Sequence, residues 1–189
     1  MPEKRDAEAT RQRLITAARA EFAAHGIAGA RWDRIAAAAN ANKAQIYHYF
    51  GSKDRLFDAV WEAVVSQIIE ATPIDAEDLA SFGTRISDAF AEHPDTIRLI
   101  TWQRLERGDD PPNAYAVEDI QSRIDAVAKA QADGLISSRF EAPVLFALII
   151  HTAGLWGISS PDVLSVVNLA DTDQRRHIVR SAITALLTE

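Results

Sequence analysis

Apolar positions repeat with helical spacing along nearly the whole chain, and no stretch alternates with the period of two that marks a half-buried strand. Leu14, Ala18 and Phe22 recur at i, i+4 and i+8 with Ile15 alongside, which predicts a first helix carrying Arg11, Arg13 and Arg19 on its other faces. Gly26 follows that stripe, where a helix commonly ends in the left-handed conformation. Trp32, Ile35, Ala36 and Ala39 predict a short second helix; Asn40-Ala41-Asn42 interrupts it, and Lys43 to Phe50 forms a third. Ser52 is a suitable N-cap for a long helix striped by Leu56, Val60, Ala63 and Val64 and closed before Pro73. Beyond it the pattern predicts helices over about 75–92, 95–107, 115–132, 142–157 and 172–187, with a break at His93-Pro94 and a loop through 108–113. The expectation is an all-α fold of about nine helices.

Two short helices joined by a tight turn form a helix-turn-helix, the motif that lays its second helix in the DNA major groove. The turn needs a residue tolerant of positive φ, and Asn40 is among the few non-glycines that accept it. Asn42 can cap the third helix by bonding the amide of Ala44 or Gln45, which points the helix's free amides and positive dipole end toward anionic phosphate. At 100° per residue, Ile46, Tyr49 and Phe50 share an inward face, while Ala44 and His48 point away from it and Gln45 and Tyr47 flank them. Gln45 can pair with adenine, Lys43 with guanine, and the Ala44 methyl can touch a thymine methyl. Tyr47 and His48 have polar tips suited to phosphate oxygens. Arg31 and, in the first turn of the next helix, Lys53 reach phosphate as cations. Taken singly, Lys43, Lys53 and His48 read as ordinary solvated side chains, and Tyr47 and Tyr49 as core aromatics. Their combination on one face points to DNA.

Composition qualifies this picture. Of 189 residues, 48% are hydrophobic and 25% charged, ordinary values for a folded chain long enough to bury roughly 70% of its surface. With no cysteine, disulfides, thiolate zinc sites, iron–sulfur clusters and cysteine nucleophiles are excluded. The longest apolar run, Val144 to Ile158, is fifteen residues, short of the roughly 20 that span a bilayer. The start, MPEKRDAEATRQR, has no apolar segment of a secretory signal, so a cytoplasmic protein is expected. The net charge of -7 argues at first against nucleic acid, but its distribution reverses that. Residues 1–55 hold ten Lys+Arg and six Asp+Glu, net +4; the remaining 134 hold ten and twenty-one, net −11. A basic head on an acidic body is the asymmetry of a nucleic-acid-binding domain.

From Ala17 to Val65 the chain resembles the amino-terminal domain of the tetracycline-repressor (TetR) family of bacterial regulators. The strings AARAEFAAHGIAGARWDRIAAAANANKAQIYHYFGSKDRLFDAV, and within them IAAAAN-x-NKAQIYHYFGSKDRLF, carry the resemblance. Ile35-Ala36, Lys43, Tyr47, Phe50, Ser52-Lys53 and Leu56 match the family pattern. Asn40 stands for its glycine, Asn42 for its serine, Gln45 for a threonine, and Ala30-Arg31 for a threonine pair. The first two exchanges keep the turn and cap; the last removes an N-cap from the second helix. The resemblance implies residues 1–55 as the helix-turn-helix domain, contacting DNA through Arg31, Asn42, Lys43, Ala44, Gln45, Tyr47, His48 and Lys53. It implies residues 56–189 as a helical ligand-binding and dimerising domain.

The body's own pattern supports part of this. The segment 142–157 is apolar nearly all round and must be covered on all sides. The last helix carries a double stripe, Ile178, Ala182 and Leu186 beside Val179, Ile183 and Leu187. These two helices are expected to pair with their symmetry mates in a homodimer, which would read a palindromic operator in double-stranded DNA; a monomeric core is the alternative. A hydrophobic small-molecule effector is expected, with Phe90, Trp102, Phe146 and Trp156 as candidate walls and Gln103 and His151 as candidate polar contacts. His151, in an apolar helix, would need a partner if buried. The five histidines show no i, i+3 or i, i+4 pairing, and no nucleophile elbow, P-loop or dinucleotide motif occurs. No catalytic residue, metal site or cofactor is expected. The rival reading is a helical small-molecule-binding or enzyme-like bundle with no role on DNA.

Overall fold

The computed structural model describes residues 2–167 and 171–188, with side chains from residue 6 onward. Eleven helices occupy them: α1 (Pro2–Gly29), α2 (Trp32–Ala38), α3 (Lys43–Phe50), α4 (Lys53–Ala71), α5 (Leu79–Glu92), α6 (Pro94–Arg107), α7 (Ala114–Ala132), α8 (Ala142–Ala153), α9 (Leu155–Ile158), α10 (Pro161–Val167) and α11 (Thr172–Leu187). No strand occurs among the described residues. The expected 142–157 helix divides at Gly154 into α8 and α9, and α10 lies where no helix was expected.

The helices gather into two compact units. The first joins the chain up to Ser66 with Asp95–Asp110; the second joins Gln67–Pro94 with the chain from Pro111 onward. In the first unit Leu14, Phe22, Ile35, Ile46, Leu56, Phe57 and Leu99 are fully buried, with the Phe22 and Phe57 rings edge to face at 5.3 Å.

This packing places α6 on the head. The cause is a break in α1 at Gly26, whose φ of 69° and ψ of −178° no ordinary residue adopts. A broken helix leaves carbonyls on one side and amides on the other without partners, and α6 supplies both. Arg98 Nε donates to the Ala23 carbonyl at 2.7 Å, and Trp102 Nε1 donates to the same oxygen at 3.3 Å. The Glu106 carboxylate accepts from the amides of Ile27 and Ala28 at 2.9 and 3.0 Å. Arg19 of α1 pairs with Asp95 and donates to Thr96 Oγ1 at 3.0 Å.

The second unit packs Leu79, Phe82, Ile86, Val127, Leu145, Ile149, Val179 and Ile183 into one core. α5 lies close on α11 because Gly83 has no side chain: a Cβ there would stand 2.1 Å from Ile183 Cδ1. Buried Arg123 of α7 pairs with Asp119, donates to the carbonyls of Thr72 and Ile69, and lies over the Phe82 ring at 5.4 Å. It thereby caps the last turn of α4. α8 is one-sided in the single chain: Leu145, Phe146, Ile149 and Ala153 are buried, whereas Val144, Ala147 and His151 are exposed, as is Leu155 at the start of α9.

Gly26→Ala should destabilise the protein, because its Cβ would meet Glu106 Oε1 at 2.4 Å and Trp102 Cε3 at 2.8 Å as well as adopt a forbidden φ. A loss of about 1–3 kcal/mol is expected from the backbone alone. Gly134→Ala shares the positive φ of 72° but meets nothing within 4 Å. Its Tm should fall less than that of Gly26→Ala; equal Tm values would mean that α6 does not close on the α1 break.

Candidate nucleic-acid interface

The turn between α2 and α3 is built as its residue types require. Asn40 takes φ 49°, the only positive φ of a non-glycine among the described residues. Asn42 Oδ1 accepts from the Gln45 amide at 2.9 Å, and Gln45 Oε1 accepts from the Asn42 amide at 3.0 Å, a closed capping box. Arg31 occupies the N-cap position of α2 without a side-chain cap. Its amide donates instead to Glu21 Oε1 at 3.0 Å, so a carboxylate from α1 stands in for the missing hydroxyl.

Ile46 and Phe50 are buried and Tyr49 half-buried, while Lys43, Ala44, Tyr47 and His48 are exposed, the arrangement the helical wheel places there. Tyr47 is 52% exposed and leans on the Trp32 ring at 5.2 Å, which fixes its direction at no cost in burial. Gln45 is half-buried with its oxygen held in the box. Bidentate pairing with adenine requires that oxygen to leave Asn42; with the box closed, Gln45 offers only its amide N–H groups.

The cations are in part committed. Lys43 Nζ pairs with Asp33 Oδ1 at 2.6 Å, and Lys53 Nζ donates to the Ala28 carbonyl at 3.3 Å. Arg31 is exposed and faces no carboxylate among the described residues. The sequence reading passed over Arg11 and Arg55, which flank a shallow cleft beside Tyr47 and His48. Arg11 lies over the Phe50 ring at 5.7 Å. Exposed Arg55 sits beside Gly51, its Nη1 3.9 Å from where a Cβ would stand. Arg55 shares the first turn of α4 with Lys53, which is the signal that could have found it.

The six residues singled out as ligand contacts are divided between the two units. Trp102 and Gln103 belong to α6 in the first unit, where the Trp102 indole is spent on the α1 break. Phe90, Phe146, His151 and Trp156 belong to the second unit. Phe146 is a core residue stacked on Phe82 at 6.3 Å. In the single chain the His151 imidazole is exposed, and its Nδ1–H donates to the Ala147 carbonyl one turn back at 2.7 Å. Phe90 and Trp156 share a recessed cleft of about 360 Å³. No group of acidic, histidine or cysteine side chains able to hold a metal occurs among the described residues.

Residues 14–60 match the family described as "Bacterial regulatory proteins, tetR family", and residues 78–184 match "Tetracyclin repressor-like, C-terminal domain". The chain is 38% identical over 183 residues to the HTH-type transcriptional repressor SCO4008 of Streptomyces coelicolor, covering 94% of this chain and 95% of that protein. Its fold matches the crystal structure of a putative transcriptional regulator, SCO4942 of Streptomyces coelicolor, with a TM-score of 0.85 at 36% identity over 94% of this chain and 97% of that one. It also matches AibR, solved in complex with isovaleryl coenzyme A and operator DNA, with a TM-score of 0.68 at 18% identity over 95% and 98% of the two chains.

Asn42→Ala should open the capping box and lower stability by about 1 kcal/mol, read as a lower Tm. Asn42→Ser, which keeps an acceptor for the Gln45 amide, should stay within a few tenths of a kcal/mol of the parent.

Proposed function

The chain belongs to the tetracycline-repressor family of DNA-binding transcriptional regulators, and from that premise we propose how its residues act as a ligand-responsive repressor on a palindromic operator. The observation that carries the proposal is the capped amino end of α3, which presents Ala44, Tyr47 and His48 on one exposed face between cations of α2 and α4. Ala44 and Gln45 are assigned to base edges, with Lys43 at the entrance to the groove. Tyr47, His48, Arg31, Lys53 and Arg55 are assigned to phosphates, and Asn42 to holding the amino end of α3 in place. DNA contact is confined to residues 1–55, since the acidic body would be repelled by phosphate.

Two such helices are needed for a palindrome, and a homodimer supplies them. The exposed strip of α8 (Val144, Ala147, His151) continued by Leu155 of α9, and the outer face of α11, where Ala182 and Ala185 are exposed and Ile178 and Leu186 half-exposed, are the surfaces we assign to the two-fold. Small residues on both strips allow close helix approach. The effector is a small molecule held in the second unit at Phe90 and Trp156; by binding one arrangement of the dimer better than another, it would shift the spacing of the two heads. No helix among the described residues is long and apolar enough to cross a membrane, and we assign the protein to the cytoplasm, where its operator is.

Footprinting on the DNA flanking its own gene would supply an operator. On that DNA, Lys53→Ala should weaken all sequences alike and reduce the salt slope by about 1. Asp33→Asn should do the opposite. It removes the carboxylate that holds Lys43, so binding should tighten and the slope steepen by about 1. If Asp33→Asn leaves both affinity and slope unchanged, Asp33 does not withhold Lys43 from DNA, and Lys43→Ala then decides whether Lys43 is a contact.

A further inference from the structure

The capping box at the start of α3 fixes which hydrogen-bonding group Gln45 turns outward. Its Oε1 accepts from the Asn42 amide at 3.0 Å, while its own amide donates to Asn42 Oδ1 at 2.9 Å. A backbone N–H needs an acceptor, so the side-chain amide has one permitted orientation. Turned the other way, Nε2 would face the Asn42 N–H donor to donor. The Nε2 group is therefore the outward end. It donates to no protein group among the described residues and is not a buried atom left without a partner, so it meets solvent.

Gln45 thus meets DNA as a donor only. A glutamine free in both groups matches adenine, whose N7 accepts beside an N6 amino group that donates. Here the acceptor half is spent on Asn42. The bases differ in what they offer a group with two N–H donors. Guanine presents N7 and O6, two acceptors side by side, whereas thymine presents O4 alone next to its methyl. Adenine sets its one acceptor beside a donor, and cytosine shows a donor only. Such a group fits guanine best and cytosine worst. Reading adenine in both its groups requires the box to open, and the Asn42 amide then loses its partner where docked DNA excludes water. Reading guanine costs the helix cap nothing.

We propose that Gln45 selects guanine in each operator half-site, its Nε2 donating to O6 and N7 while Oε1 stays on the Asn42 amide. The capping box is then a specificity device as well as a helix cap: it removes the acceptor that adenine needs. This rests on the assignment of Gln45 to a base edge and names the base, in place of the adenine that the residue type alone suggests.

The test is competition binding of the full chain to the footprinted operator and to versions carrying each of the four base pairs at every position of one half-site. The parent, Gln45→Met and Gln45→Glu are compared. Methionine keeps the length of the side chain without its donors. Glutamate also lacks donors but keeps the box, since its carboxylate accepts from the Asn42 amide. The position at which these variants change the base preference is the Gln45 contact. There the parent should favour guanine over adenine by about fivefold or more, the discrimination of one good base contact. Gln45→Met should bring the two bases within about twofold of each other. Gln45→Glu, assayed at low salt to offset its added charge, should favour cytosine, whose N4 donates. Replacing the guanine with 7-deazaguanine, which lacks the N7 acceptor, should weaken the parent by about two- to tenfold and leave Gln45→Met unchanged. Circular dichroism and Tm identify any variant that fails to fold. A guanine preference that survives in folded Gln45→Met belongs to another side chain and overturns the proposal. A parent preference for adenine or thymine at that position also overturns it, while keeping Gln45 as a reader of bases. If both variants fold and bind and neither changes the preference at any position, the assignment of Gln45 to a base edge falls as well.

Discussion

The Glu106 carboxylate, holding the amides of Ile27 and Ala28, is the contact on which the arrangement of the DNA-reading head depends. Gly26 turns the chain so abruptly that the short segment up to Gly29 is a separate helical piece, and it is this piece that leads into α2. Without an acceptor on its first amides the piece has no reason to stay helical. With Glu106 in place it is aligned, its Ala28 carbonyl receives Lys53 from α4, and the Arg31 amide that follows reaches Glu21. α2, and through the Asn40 turn α3, inherit their position from this chain of polar contacts. Hydrophobic burial holds the head together, but it is non-directional; these hydrogen bonds decide where the recognition helix points.

The same contacts explain why α6 is part of the head although it comes after the whole of α5 in sequence. Its apolar periodicity is weak, and only Thr96 and Leu99 are buried. What holds it is a row of side chains, Asp95, Arg98, Trp102 and Glu106, spaced by three or four residues and each spent on α1. Charged residues at helical spacing read in a sequence as a solvated face. Nothing in their pattern tells a row facing water from a row facing the open ends of a broken helix. An aromatic such as Trp102 then reads as a pocket wall when it is in fact a donor to a carbonyl.

The parts legible in the sequence were those governed by local chemistry. Asn40 and Asn42 act within four residues of themselves, and the Ile46–Phe50 spacing declares an inward face whatever lies on the other side. His151 sits in an apolar helix, on the strip that its own chain leaves uncovered, and its partner is the Ala147 carbonyl of its own backbone. Where the reading failed, the controlling partner was distant. α10 escaped notice because seven residues with exposed Val163 and Val166 carry no stripe of their own. Arg123, the buried cation that caps α4, looks like any surface arginine until the carbonyls of Ile69 and Thr72 are brought to it.

Charge counts share this weakness, and the head illustrates it. Its net +4 suggests a surplus of cations waiting for phosphate, yet Arg19, Arg34 and Lys43 each already face a carboxylate: Asp95, Glu21 and Asp33. Two of these pairs are tied to the fold, since Glu21 also holds the Arg31 amide and Asp95 anchors α6. Phosphate cannot take Arg19 or Arg34 without loosening the head. The Lys43–Asp33 pair is different: both side chains are more than half exposed, and in water such a pair is worth little. It keeps the lysine of α3 beside α2 in the free protein and yields it readily to a phosphate or a guanine edge, whose attraction is stronger and shared with neighbouring cations. On the proposed DNA face, the described cations not tied to the fold include Arg31, Arg55 and an exchangeable Lys43, a narrower set than the sum implies and one gathered around the capped end of a single helix.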